Sequence, residues 1–176
     1  AAAVLNVTSD HLDRYASLAD YAAAKARIFT HCDTAVINLD DPLVVAMQHA
    51  TPRTFTYSLQ TAAAADFSLA TNPETHQPWL TRRGEVLLPA AAIKLAGLHN
   101  VANALAALAL GEALRLPRAA MLEELQEFAG LPHRTEWVAD VDAVRYLNDS
   151  KGTNVGATLA AVAGLDGPLI VIAGGD

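Results

Sequence analysis

Cysteine and basic residues are both scarce in this sequence. Cys32 is the only cysteine among 176 residues, which excludes an internal disulfide and a cysteine-based zinc site and fits a reducing compartment. The 12 lysines and arginines are outnumbered by 19 acidic residues, giving a net charge of −7. This balance argues against non-specific nucleic-acid binding, which requires a basic surface, although a few local donors can still bind an anionic small ligand.

Signals for membrane insertion and secretion are also missing. No apolar run approaches the length of a membrane span, and the N-terminal stretch lacks the basic region of a signal peptide. We therefore expect a soluble, cytoplasmic protein that does not insert into membranes, and we expect a monomer. The hydrophobic fraction of 52% is sufficient for a sizeable core in one or two domains.

Glycine-rich nucleotide motifs do not occur either. The sequence contains no G-x-x-x-x-G-K-[ST] phosphate loop and no shorter Gly-Lys-Ser/Thr version. No G-x-G-x-x-G follows a candidate first strand, which argues against a nicotinamide-dependent dehydrogenase.

The order of the predicted elements indicates an α/β fold. Periodicity predicts strands at 4–7, in "TAVINLDD" and in "TFTYSL", a hairpin around Arg83-Gly84, and helices at 17–29, 99–116 and 118–128. The turn "GLP" at 130–132 suggests a boundary between a domain at 1–130 and another at 131–176. Beyond it follow strands "TEWVAD" and "VRYLND", a helix at 153–163 and a strand "PLIVIAGG", and this alternation favours a parallel sheet.

Lys25 falls on the apolar stripe of the helix at 17–29, where an aliphatic side chain is expected. Two interpretations remain open. A snorkelling lysine covers apolar surface with its stem while its ammonium reaches water. A lysine held in a dry site is instead a functional group, because burial favours the neutral amine, which can be covalently modified.

Polar residues with metal-binding groups follow the first predicted strand. Asp10, His11 and Asp13 lie in "NVTSDHLDRY", off the strand end where open α/β sheets bind ligands. Imidazole and carboxylate groups are metal ligands, but the same residues are also typical of a polar surface loop that caps a helix.

Asn100 and Asn103 lie on one face at the start of the helix at 99–116, which is apolar nearly all round and is expected to be buried. An unpaired buried amide costs about 1–3 kcal/mol, so these side chains need partners. Either His99 or Asn100 caps the helix, or the amides bind a flat ligand edge, since a carboxamide offers a donor beside an acceptor.

The corner "NDSKGTN" joins a predicted strand to the helix at 153–163. Thr153 or Asn154 is suited to cap that helix, and its N-terminus together with Lys151 favours an anion. Asp149 repels a phosphate unless it accepts from a hydroxyl, as a ribose offers, or binds a metal ion. The alternative is a surface pair of Asp149 and Lys151, worth less than about 1 kcal/mol. Arg134 offers a planar donor group that matches phosphate oxygens.

Five segments together resemble the Mur ligase family, and within it the branch that adds D-glutamate. In chain order they are "LNVTSDHLDRY", "YAAAKARIF", "GLHNVANALAALAL", "GLPHR" and "NDSKGTNVGAT". The resemblance implies that 1–130 is the latter part of a central ATP-binding domain and that 131–176 begins a Rossmann-like C-terminal domain. It also implies an amide ligase of peptidoglycan synthesis, which joins UDP-N-acetylmuramoyl-L-alanine and D-glutamate through an acyl phosphate, with ATP and Mg²⁺ as cofactors.

The resemblance further implies roles for individual residues. Lys25, as a carbamate, and His11 are expected to hold a magnesium ion and, with Lys151, to be catalytic. The remaining expected contacts are adenine with Asn100 and Asn103, nucleotide phosphates with Arg134, ribose with Asp149, and phosphates and D-glutamate with Lys151 and Thr153.

Several parts of the family pattern do not occur in the sequence. Its phosphate loop, a second magnesium-binding acid and a UDP-binding domain are expected to precede Ala1, and a lysine for the D-glutamate carboxylate is expected to follow "VIAGGD". We therefore predict that these 176 residues alone have no ligase activity. Two alternatives are another ligase of the superfamily, such as a folylpolyglutamate synthetase, which is not expected to carry "NDSKGTN", and a non-catalytic nucleotide-binding module.

Overall fold

The computed structural model describes residues 1–9, 13–47, 51–95, 97–165 and 167–174. In this part of the chain, six strands form one sheet in the order of the sequence. The first four strands run parallel and the last two are antiparallel to their neighbours. They are β1 (Ala2–Val4), β2 (Thr34–Asn38), β3 (Arg53–Ser58), β4 (Phe67–Thr71), β5 (Pro78–Arg82) and β6 (Glu85–Pro89).

Helices connect the strands and follow the sheet. They are α1 (Leu18–Ala26), which continues as a 3₁₀ turn at Arg27–Phe29, α2 (Pro42–Val45), α3 (Leu98–Ala113), α4 (Arg118–Glu127) and α5 (Val155–Ala163). Side-chain caps define three of the starts, since Ser17, Asp41 and Asn154 each accept a hydrogen bond from a backbone N–H of the first turn. In the described ranges, no helix is long and apolar enough to cross a membrane.

The sheet carries a hydrophobic core on each face. Val36 packs in the core under α3, whereas its neighbours Ala35 and Ile37 pack in the core beneath α1 and α2. This alternation follows from the two-residue period of a strand. Leu105 and Leu108 of α3 are at most 1% exposed, so the expectation of a buried α3 is confirmed. The result is a helix–sheet–helix arrangement, and the predicted α/β class is confirmed.

The chain beyond α4 forms a second, two-stranded sheet. Its strands, β7 (Glu136–Val141) and β8 (Val144–Asn148), are antiparallel. Asp142 and Ala143 join them with φ of 49° and 63°, as a two-residue type I′ turn requires. The expected parallel pairing of β8 with the segment at 168–175 is wrong for the described residues, because 167–174 forms no strand there and β8 pairs with β7. The predicted domain boundary near 130 falls between the two sheets and stays a prediction.

Other differences from the sequence-based elements are local. The first strand ends at Val4 instead of residue 7, because the carbonyl oxygen of Leu5 accepts hydrogen bonds from side chains and leaves the strand ladder. Strand β4 and the short helix α2 were not predicted. The hairpin around Arg83-Gly84 is confirmed, with Arg83 and Gly84 both at positive φ.

Candidate functional site

A cavity of about 320 Å³ lies at the carboxyl ends of β1, β2 and β3. This is the edge at which open α/β sheets bind ligands. Four groups of residues line the cavity: the ends of these strands, the first turns of α3, the turn before β7, and the corner before α5 together with one face of α5.

The strand ends are fixed by hydrogen bonds that converge on one backbone group. The carbonyl oxygen of Leu5 accepts from the side-chain amide of Asn38 at 2.9 Å and from the hydroxyl of Tyr57 at 3.2 Å. Burial, followed by the nearby charges of Asp40 and Asp41, raises the pKa of Tyr57 well above its ordinary value of 10, so this hydroxyl keeps its proton and remains a donor. These lining residues were missed from sequence, although an asparagine closing a buried strand is a usable signal.

The first turns of α3 present Asn100 and Asn103. The amide nitrogen of Asn103 lies 3.4 Å from the side-chain oxygen of Asn100, so the two carboxamides are neighbours beside the cavity. Helix α3 begins after Gly97, whose φ is 94°, and no side chain caps it. The expectation that His99 or Asn100 caps this helix is therefore wrong.

His99 also lines the cavity, and sequence reasoning missed it as a site residue. Burial lowers the pKa of this imidazole by disfavouring its charged form. The nearby carboxylate of Asp149 acts in the opposite direction without reversing the effect.

The corner before α5 is organised around Asp149. Its Oδ1 accepts a hydrogen bond from the backbone N–H of Thr135 at 2.8 Å and from the hydroxyl of Thr135 at 3.3 Å. A Cβ added at Gly152 would lie only 2.6 Å from Oδ2 of Asp149. Within the described ranges Asp149 forms no ion pair with Lys151, so the surface-pair interpretation is wrong. Asn154, and not Thr153, caps α5.

The turn that carries Arg134 is conformationally unusual. His133 and Thr135 flank it with φ of 66° and 47°, in the left-handed region that β-branched residues such as threonine rarely adopt. The backbone N–H of Lys151 donates to the carbonyl oxygen of His133 at 3.1 Å, which ties the turn to the corner. As a result, the side chains of Arg134, Asp149 and Lys151 line the same cavity.

The structure thus brings five of the predicted site residues together: Asn100, Asn103, Arg134, Asp149 and Lys151 line one cavity. Thr153 is exposed in the same corner and is not among the lining residues. Lys25 lies elsewhere, half-buried on α1, with its ammonium over the ring of Tyr21 at 5.0 Å from the centroid. His11 lies outside the described residues.

The donor set of this cavity suits a nucleotide. Paired carboxamides match the donor and acceptor edge of a base, a carboxylate accepts from sugar hydroxyls, and an arginine and a lysine offset phosphate charge. The described residues contain no cluster of three histidine, cysteine, aspartate or glutamate side chains that could hold a metal ion. The predicted magnesium ligands His11 and Lys25 stay a prediction.

Comparison with known proteins identifies the family to which the chain is similar. A family model described as the Mur ligase middle domain matches residues 1–111. A protein of Nitrosococcus oceani named UDP-N-acetylmuramoylalanine–D-glutamate ligase is 52% identical over 177 residues, spanning 99% of this chain and 39% of that protein. A protein of the same name from Methylococcus capsulatus is 48% identical over 175 residues, spanning 99% of this chain and 38% of that protein.

Among solved structures, MurF of Acinetobacter baumannii superposes with a TM-score of 0.70 at 19% identity, covering 90% of this chain and 35% of that one. This likeness shows a shared fold. The chain spans about two-fifths of the length of the curated relatives that it matches in sequence.

Proposed function

The chain belongs to the Mur ligase family, and from this premise we propose that it is part of an ATP-dependent ligase that adds D-glutamate to UDP-N-acetylmuramoyl-L-alanine in peptidoglycan synthesis. Relatives bearing that name match nearly the whole chain at about half identity. The observation that carries the proposal is that Asn100, Asn103, Arg134, Asp149 and Lys151 line one shared cavity.

In this proposal the cavity binds ATP. Asn100 and Asn103 face the adenine edge, and Asp149 accepts from the ribose. Arg134 and Lys151 lie where they can offset phosphate charge. Thr153, exposed two residues beyond Lys151, contacts the incoming D-glutamate. Donors placed where charge develops during phosphoryl transfer stabilise the transition state more than the ground state, which is the main contribution a protein makes to such a reaction.

The reaction proceeds by activation of an acyl group. The terminal carboxylate of the first substrate attacks the γ-phosphorus of ATP, which forms an acyl phosphate and releases ADP. The D-glutamate amine then attacks the acyl carbon, and phosphate leaves with the bonding electrons as an amide forms. Lys151 and Arg134 offset the negative charge on the phosphoryl oxygens during both steps. A cytoplasmic location and a monomeric state are part of the proposal.

Magnesium ions accompany ATP in this proposal. When bound, they neutralise phosphate charge. Lys25, converted to a carbamate by carbon dioxide, and His11 would hold one of them. The carbamate is a carboxylate-like oxygen donor of the type that magnesium prefers, and Lys25 lies on α1.

Two measurements test the proposed function. Isothermal titration of the 176-residue chain with ATP tests the cavity, with Asn103→Ala as the variant and Gln126→Ala, on the exposed face of α4, as the matched control. Phosphate release by the protein encoded by the whole reading frame that contains these residues tests the reaction, and it should require both UDP-N-acetylmuramoyl-L-alanine and D-glutamate.

The outcomes separate the alternatives. Product formation with D-glutamate supports the proposal. Glutamate addition to a folate would assign the chain to another ligase of the superfamily. ATP binding without turnover on either substrate would make it a non-catalytic nucleotide-binding module.

A further inference from the structure

The direction of the Arg134 side chain is set by the backbone of its turn. In the described part of the chain its guanidinium has no hydrogen-bond or ion-pair partner, although its backbone N–H donates to the carbonyl oxygen of Leu131 at 3.3 Å. The residues on either side, His133 and Thr135, have φ of 66° and 47°. Residues other than glycine keep this left-handed conformation only where their surroundings hold them in it. The placement of Arg134 at the cavity therefore depends on the groups that hold its two neighbours.

His133 is held by a carboxylate that lies outside the cavity. Oε2 of Glu136 accepts a hydrogen bond from the backbone N–H of His133 at 2.8 Å. Glu136 is not among the residues that line the cavity. It therefore fixes the backbone next to Arg134 without occupying the space of a ligand.

Asn148 contacts the same carboxylate from the neighbouring strand. It ends β8 and pairs in register with Glu136, which begins β7. The amide nitrogen of Asn148 lies 3.4 Å from Oε2 of Glu136 and 2.9 Å from Nδ1 of His133. Its side-chain oxygen accepts from the backbone N–H of Ser150 at 3.1 Å. One carboxamide thus connects the turn before β7 to the corner before α5.

We propose that Glu136 is a positioning residue, which fixes the turn at His133 and thereby directs Arg134 toward the phosphates of the bound nucleotide. Asn148 supports this carboxylate from β8. The backbone of His133 is then held at both of its polar groups, since its carbonyl oxygen accepts from the N–H of Lys151 at 3.1 Å. The proposal deepens the proposed function and rests on it for the identity of the ligand.

Charge and position predict opposite effects of changing Glu136. A carboxylate near a nucleotide site repels phosphate groups, so removal of its charge alone should strengthen ATP binding. If Glu136 positions Arg134, loss of the acceptor should instead weaken ATP binding, even though a repulsive charge is removed. Glu136→Gln removes the charge but keeps an oxygen that can accept from the N–H of His133, whereas Glu136→Ala removes both.

Titration with ATP of the protein encoded by the whole reading frame that contains these residues separates the two effects. We expect Glu136→Ala to raise the dissociation constant about three- to tenfold, the worth of one hydrogen bond, and Glu136→Gln to leave it within about twofold of the wild type. Asp140→Ala is the matched control, because it removes a carboxylate from the same strand, where Asp140 forms an exposed ion pair with Arg145. Unchanged or tighter binding in Glu136→Ala, or equal weakening in both Glu136 variants, would overturn the proposal.

A double-mutant cycle shows whether Glu136 acts through Arg134. In an Arg134→Ala background, Glu136→Ala should change the dissociation constant of ATP by less than about twofold, because the side chain that it positions is absent. A general loss of cavity structure would weaken binding equally in both backgrounds. That result would contradict a positioning role toward Arg134.

Solvent exchange of the His133 amide, measured by NMR in the ligand-free protein, tests the contact without a nucleotide. Exchange should be about three- to tenfold faster in Glu136→Ala than in the wild type and in Glu136→Gln. Equal exchange in the three proteins would show that Glu136 does not hold the turn. If the wild-type protein binds no ATP, the proposed function fails, whereas the exchange comparison still decides the role of Glu136.

Discussion

Thr135 donates two hydrogen bonds to one oxygen of Asp149, from its backbone N–H at 2.8 Å and from its hydroxyl at 3.3 Å. The pair joins the turn before β7 to the corner after β8, and both residues line the cavity. Thr135 does this from φ of 47°, a conformation that costs a β-branched residue about 1–2 kcal/mol. The hydrogen bonds to the carboxylate offset this cost, so the strained backbone of Thr135 is held in place at the cavity.

Replacement of Thr135 by asparagine should stabilise the protein. Asparagine adopts the left-handed conformation more readily and keeps the backbone N–H that makes the shorter bond to Asp149. We expect the free energy of unfolding to rise by about 0.5–1 kcal/mol, measured by urea denaturation followed through tryptophan fluorescence. ATP affinity should stay within about twofold. A loss of stability would show that the hydroxyl bond outweighs the backbone strain.

Asp149 should make the affinity for ATP depend on the hydroxyl groups of its ribose. Asp149→Asn removes the carboxylate charge but retains an oxygen that can accept from Thr135, so the fold should be preserved. We expect the dissociation constant of ATP to rise about tenfold, since a hydrogen bond to a charged group is worth about 1.5–3 kcal/mol. The dissociation constant of 2′,3′-dideoxy-ATP should change little. An equal effect on both ligands would argue against contact with the ribose.

The ion pair between Arg82 and Glu112 should stabilise the fold in a pH-dependent way. Arg82 of β5 donates from Nε to Glu112 of α3 at 2.7 Å and makes a second contact through its other guanidinium nitrogen, and both side chains are about three-quarters buried or more. The hydrogen bond from Arg82 lowers the pKa of Glu112 below its ordinary value of 4.5. We expect Glu112→Gln to reduce the free energy of unfolding at neutral pH by about 2 kcal/mol.

Because the pKa of Glu112 is lowered in the folded state, its contribution is fully present above pH 4.5 and is lost as the pH falls through the folded value. The stability difference between wild type and Glu112→Gln should therefore shrink below pH 4.5. Asp66, whose pKa is also lowered, is common to both proteins and cancels in the difference. A difference that is constant between pH 7 and pH 3 would contradict the assignment.

Tyr21 should oppose carbamylation of Lys25. Its ring lies under the ammonium at 5.0 Å, and this attraction stabilises the charged amine by about 0.5–1 kcal/mol at a partly exposed site. Conversion of the ammonium to a carbamate adds carbon dioxide, releases two protons and replaces the positive charge with a negative one, so the attraction is lost. We expect Tyr21→Leu to raise the carbamate fraction about two- to fivefold at a fixed carbon dioxide pressure.

Carbon-13 spectra recorded under labelled carbon dioxide measure this fraction. Lys25→Arg identifies the resonance, because arginine keeps the cation over the ring but forms no carbamate under these conditions. A spectrum that is identical in wild type and Lys25→Arg would contradict carbamylation at this residue.

Elements with strong local signals were predicted well from sequence. Helix α1 is preceded by Ser17, whose hydroxyl oxygen accepts from the N–H of Asp20, and its apolar spacing is regular. The hairpin of β5 and β6 was visible because Arg83-Gly84 interrupts two alternating runs. In each case the information lies within a few neighbouring residues.

Elements that depend on distant partners were predicted poorly. Strand β4 has a short, mixed sequence and is stabilised by pairing with β3 and β5. The turn at Asp142-Ala143 lacks glycine, so the sequence did not reveal that β7 and β8 pair as a hairpin. The segment "PLIVIAGG" has high strand propensity, but in its described part no strand pairs with it, and propensity alone does not form a sheet.

The candidate site was likewise predicted only in part from the sequence. Asn100 and Asn103 were singled out because polar groups at the end of an apolar helix need partners. Asp149 was singled out because a carboxylate beside an anion site requires a hydroxyl or a metal ion. Their convergence, however, involves contacts between segments distant in sequence, such as the close approach of Gly164 to Gly97, which only three-dimensional packing reveals. Tyr57 was missed because a buried aromatic residue in a strand is ordinary core, and its hydroxyl contact with Leu5 spans 52 residues.

The face of α5 that borders the cavity carries Ala157, Ala160 and Ala161. These residues contribute methyl groups and no polar side-chain atoms, so the clearance on this side is set by side-chain size alone. Replacing one of them by valine or leucine would narrow the cavity while every hydrogen-bonding group remains in place. Steric selectivity among ligands can therefore be engineered in this chain separately from polar recognition.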